Sequence, residues 1–84
     1  MKIYKYPLDL ADQQTISMPE GAEMLSVGLQ RDRIVLWAMV NLEMANRDYI
    51  FRIVGTGNDV PENLQYLGTV QQSTYAWHIF LEVA

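Results

Sequence analysis

RIVLWAMV, residues Arg33–Val40, is the longest apolar stretch in the chain and the one place where apolar and polar residues stop alternating. Eight residues, bounded by polar neighbours and rich in β-branched and aromatic side chains, suit a strand better than a helix. In a strand Ile34, Leu36, Ala38 and Val40 point one way and Val35, Trp37 and Met39 the other. A strand apolar on both faces belongs in the middle of something, either between two layers or against another chain.

The stretch before it alternates cleanly. Leu25, Val27 and Leu29 share one side of Met24–Gln30, and Met24, Ser26, Gly28 and Gln30 the other. Joined across Arg31-Asp32, the two runs place Leu29 opposite Ile34, Val27 opposite Leu36 and Leu25 opposite Ala38. A slip of one residue would mix the faces, so the pattern selects its own register. On the reverse face Ser26 meets Trp37, Gly28 meets Val35 and Met24 meets Met39, which leaves Trp37 over small residues. Arg-Asp lacks the Gly or Asn that tight primed turns prefer, and a loop over Gln30–Arg33 would keep the same parity.

Outward from this pair, Lys2–Tyr6 is a short edge strand ended by Pro7, and Leu8–Gln13 is a loop or one helical turn. Thr15–Met18 is a strand closed by the turn signal Pro19-Glu20-Gly21. Leu42–Ala45 has room for a helical turn, and Tyr49–Val54 is the next strand. Leu64–Gln71 and Tyr75–Val83 form a hairpin across Gln72–Thr74. Six to seven antiparallel strands, with at most a helical turn, predict an all-β sandwich or small curled barrel over a single domain, 1–84. One sheet carrying a short helix is the alternative.

A chain of 84 residues without cysteine has no disulfide and no Cys-based zinc site to hold it. A core of this size leaves a margin of only about 3–5 kcal/mol. A homo-oligomer that covers the second face of the central strand would relieve that shortage, so Val35, Trp37 and Met39 are the expected interface. The net charge is −4, and no lysine follows Lys5. Without a basic stripe, nucleic-acid binding is disfavoured, and an acidic surface suits a basic partner. The N-terminus lacks the apolar segment of a signal peptide, and no window has the length of a membrane span, so the expected location is cytoplasmic.

Gly55-Thr56-Gly57-Asn58-Asp59-Val60-Pro61-Glu62 is the most loop-like segment and the best site candidate. Its glycines allow left-handed turns that free backbone N–H groups for an anion. Thr56, Asn58 and Asp59 add polar side chains, and Arg52 a charge from the strand before. The segment is neither a P-loop nor a dinucleotide fingerprint, and a plain glycine turn leaving a strand is the competing account. His78, the sole histidine, alternates with Ala76 and Phe80 as a structural, hydrogen-bonded residue would. The serines have no evident base, and the carboxylate pairs Asp9/Asp12, Glu20/Glu23 and Asp59/Glu62 lack calcium-loop spacing. No catalytic set, metal site or cofactor is therefore expected, and the chain reads as a non-enzymatic protein.

IYKYPL at the start, Gln14-Thr15-Ile16, Met18-Pro19-Glu20-Gly21-Ala22 and Leu36-Trp37-Ala38 together resemble a family of small, uncharacterised proteins of bacteriophages and prophages. Phe51-Arg52-Ile53 with Gly55-Thr56-Gly57, Tyr66-Leu67-Gly68-Thr69, and Trp77-His78 with Phe80 continue the resemblance through nearly the whole chain. It implies phage origin and a compact cytoplasmic domain, and supplies no catalytic residues. Two functions fit. One is a protein that binds and modulates a host protein, such as a defence component, through the Trp37 face. The other is an oligomeric sponge that holds a nucleotide-like signal at Arg52, Gly55, Thr56, Gly57, Asn58 and Asp59. In the sponge, Arg31 or Arg33 of a second subunit would offset Asp59 and Glu62.

Overall fold

The computed structural model describes residues 1–83. Among the described residues seven strands follow one another without a helix: β1 Lys2–Pro7, β2 Gln13–Pro19, β3 Glu23–Gln30, β4 Arg33–Val40, β5 Asn46–Gly55, β6 Leu64–Gln72 and β7 Tyr75–Glu82. They form two antiparallel sheets, one of order β1-β4-β3 and one of order β2-β5-β7-β6. The predicted sandwich is the fold. Its Cα trace measures 40 × 30 × 16 Å, the flat outline of two stacked layers.

The inner face of β4 supplies Ile34, Leu36, Ala38 and Val40, all buried, to a core shared with Leu8, Met18, Phe51, Ile53, Val70 and Ile79. The buried side chains are all apolar. Tyr6 packs against this core from β1, and burial lifts its hydroxyl above the usual tyrosine range, with a smaller push from Tyr4.

β3 and β4 pair as the alternation predicts at Leu29–Ile34, Val27–Leu36, Gly28–Val35 and Ser26–Trp37. Beyond Ser26 a bulge shifts the register, so Met24, not Leu25, lies opposite Ala38, and Glu23, not Met24, opposite Met39. Met24 therefore turns toward the core while Leu25 is left exposed. β6 carries a second bulge between Tyr66 and Gly68. The two bulged edges meet at a close approach, where a Cβ built on Gly68 would lie 2.6 Å from Val27 Cγ2. Leu67 packs on the core in the space beside it.

Of the two places where the sequence left room for a helical turn, neither forms one among the described residues, and the first takes its loop alternative. Leu8–Asp12 is a loop held by paired bonds, Asp9 N–H to Gln14 Oε1 at 2.8 Å and Gln14 Nε2 to Asp9 O at 2.7 Å. Asn41 ends β4 in a β-turn: Met44 N–H donates to its carbonyl and Glu43 N–H to its side-chain oxygen. That local bond offers the backbone an alternative to a helix.

Arg31 and Asp32 form the two-residue turn, with φ of 51° and 61°. Left-handed backbone at both positions is the primed geometry that matches strand twist, and it disfavours residues with a Cβ. Replacing Arg31-Asp32 by Asn-Gly is expected to raise stability by about 1 kcal/mol and Tm by about 4–8 °C in a thermal melt.

Candidate functional site

The outer face of the three-stranded sheet is where β4 shows its second apolar row. Across it Ile3 pairs with Met39 and Lys5 with Trp37 on one side, and Glu23 with Met39 and Ser26 with Trp37 on the other. The Trp37 indole lies down on Gly28, where an added Cβ would sit 3.1 Å from Cζ3. Lys5 Nζ hydrogen-bonds Gln30 Oε1, tying β1 to β3 across the central strand. Val35 lies between these ties and is only 3% exposed, so it offers a partner no free surface. Trp37 and Met39 are half-buried. Ile3, 61% accessible beside Met39, is an exposed apolar side chain of this face. Sequence reasoning missed Ile3 because a short edge strand gives too weak an alternation to fix its facing.

At the end of the sandwich the Gly55–Glu62 loop borders two shallow depressions. The first, about 370 Å³, lies between Leu10, Ile53, Gly55 and the Trp77 ring, with Asp12 and Asn58 at its rim. The second, about 280 Å³, brings Arg52, Asn58 and Asp59 together with Asp12. Gly55 and Asn58 thus line the first and Arg52, Asn58 and Asp59 the second, while neither Thr56 nor Gly57 faces either.

Each glycine of the loop has a local reason. A Cβ on Gly55 would meet Asn58 Nδ2 at 3.2 Å and Trp77 Cζ3 at 3.3 Å. Gly57 holds φ +92° in a turn closed by Asn58 N–H donating to Gly55 O at 3.1 Å. That N–H is consumed inside the turn and does not face a ligand. Thr56 points away, its Oγ1 2.8 Å from His78 Nε2. His78 Nδ1 lies 2.9 Å from Thr69 Oγ1, which in turn bonds the Tyr66 hydroxyl. This chain pins the loop to the outer face of the four-stranded sheet and satisfies both ring nitrogens of His78. Its signal in the sequence is only the alternation of β7, which sets His78 with Ala76 and Phe80 without saying what it meets.

Electrostatics at this end are unfavourable to phosphate. The Arg52 guanidinium already binds Glu82, Nη1 to Oε2 at 3.3 Å, and Asp12 and Asp59 border the same depression. Arg33, which borders a separate depression with Leu8 and Leu10, is paired with Asp9 at 3.1 Å. Among the described residues no group of three or more His, Cys, Asp or Glu converges as a metal site.

A flat apolar strip, shallow depressions and consumed polar groups characterise the surface of this small β-sandwich. The chain belongs to a family known as a domain of unknown function, DUF7352, whose model matches residues 1–84. No curated protein and no solved structure is detectably similar to it.

Proposed function

We propose that this chain is a non-enzymatic accessory protein of bacteriophage or prophage origin, cytoplasmic in the host, that binds and modulates a host protein, with defence components the first class to examine. The observation that carries this reading is the Ile3–Met39–Trp37 strip on the outer face of the three-stranded sheet. Apolar side chains bracketed by Lys5 and Glu23 have the make-up of a contact patch, with an anchoring aromatic inside a polar rim. The net charge of −4 favours a basic partner. The sequence resemblance to phage proteins supports the origin.

The sponge reading has less support. Its cation, Arg52, is already neutralised by Glu82, and the N–H of Asn58 is consumed in the turn. Capture of a host protein from bacterial lysate, compared between wild type, Ile3→Asp and Met39→Asp, tests the preferred reading. A hot-spot loss of about 2 kcal/mol corresponds to roughly a thirtyfold weaker complex, so either substitution is expected to abolish recovery. Undiminished recovery with both variants would place the partner elsewhere.

A further inference from the structure

Four strands lie at sheet edges, and three of them are guarded. β1 carries Lys2, Lys5 and Pro7; β3 and β6 each carry a bulge and close on one another at Val27 and Gly68. Charges, proline and bulges are the devices that keep an edge from pairing with another chain. β2 has neither charge nor bulge along its length. Between Asp12 and Glu20 there is no charged residue, its pairing with β5 is regular, and its proline is the terminal Pro19.

The direction of its free backbone groups follows from the ladder. Ile53 N–H donates to Asp12 O, and Glu20 N–H to Ala45 O, so the even-numbered residues of this segment bond toward β5. Gln13, Thr15 and Ser17 therefore turn N–H and C=O to the open side. Among the described residues these backbone groups meet no partner.

We infer that β2 pairs antiparallel with β2 of a second copy, Thr15 opposite Thr15, merging two four-stranded sheets into one. In that register Gln13 of each copy faces Ser17 of the other, so each outward N–H meets an outward C=O. A register centred on Ile16 sets Gln13 against Pro19, which has no N–H to give. It also opposes Asp12 to Glu20, two like charges. Centred on Thr15, Asp12 falls opposite Met18 and Glu20 opposite Leu10. The arrangement is self-complementary, as a two-fold interface must be. Thr15 and Ser17 are exposed on this strand, as an unoccupied interface requires.

The two-fold axis of an antiparallel pair stands perpendicular to the sheet. Both copies would then carry their three-stranded sheets on the same side, presenting two Ile3–Met39–Trp37 strips in one direction. A dimer of this kind would bind a repeated or dimeric partner with added avidity, a consequence that rests on the proposed function; the dimer itself does not.

Light scattering and amide hydrogen exchange on the whole chain test it, with Thr15→Pro, Thr15→Lys and Met39→Asp as variants. Wild type is expected at twice its 9.7 kDa mass at high micromolar concentration. Amides of Gln13, Thr15 and Ser17 should gain protection with concentration, while Gln14, Ile16 and Met18 stay protected throughout. Thr15→Pro removes one donor per copy, and Thr15→Lys sets two lysines face to face. Each should raise the dimer dissociation constant roughly tenfold or more, and Met39→Asp should leave it unchanged. The lysine variant keeps its added side chain in solvent and decides the outcome if the proline variant does not fold. A wild type that stays monomeric would overturn the inference. So would a dimer insensitive to Thr15→Lys, or one broken by Met39→Asp instead.

Discussion

Phe51→Ala is expected to remove nearly all of the chain's stability at 25 °C. Phe51 is fully buried at the middle of β5, with Leu81 beside it on β7 and Gln14 on β2. Truncating a buried phenylalanine costs about 3–5 kcal/mol, the transfer of the ring plus the cavity left behind. A core of this size supplies a margin of about the same 3–5 kcal/mol. The two cancel, so far-UV circular dichroism at 25 °C should show a large share of the wild-type strand signal lost and a melting midpoint brought down to about that temperature. A cooperative thermal transition near the wild-type temperature would mean that the core is deeper than its buried residues indicate.

The second large effect is at Gly68. An alanine there places its Cβ 2.6 Å from Val27 Cγ2, and neither strand is free to retreat because both are held in bulged ladders at that point. Overpacking of this sort costs about 1–3 kcal/mol. Val27→Ala alone should also destabilise, through the lost contact with the core. Together the two changes should recover much of the loss, since the new methyl fills the space the old ones vacate. Urea midpoints of the two single variants and the double variant give the coupling directly. Additive losses would show that the sheets adjust at this corner.

The same corner marks the limit of what the sequence discloses. β4 is legible to the residue, because eight consecutive residues between polar neighbours leave no other strand to draw. Its register against β3 is legible from Val27 to Leu29, where alternation has one consistent solution. Past Ser26 the pattern continues to alternate, yet the strand does not. The bulge that turns Met24 inward lies beside the point where β3 meets β6, a contact of residues about forty apart that no local pattern encodes. The Arg31-Asp32 turn was ambiguous for a related reason: strand pairing on both sides imposes a left-handed backbone that the turn residues themselves disfavour. At the Gly55–Glu62 loop, glycines invite a ligand reading because composition cannot say what surrounds them. In the fold Gly55 makes room for Trp77, and Thr56 reaches His78. Burial of Val35 was hidden likewise, since Lys5 and Gln30 that bridge the strand are twenty-five residues apart.

The proposed partner surface is the outer face of the three-stranded sheet. The most direct measurement is nuclear magnetic resonance of labelled protein titrated with the host protein that it captures. The expected result is perturbation of the Ile3 and Met39 methyl groups and the Trp37 indole N–H, with the Thr56 and Asn58 amides unmoved. Perturbation confined to Gly55–Glu62, with Ile3 and Met39 unchanged, would contradict it.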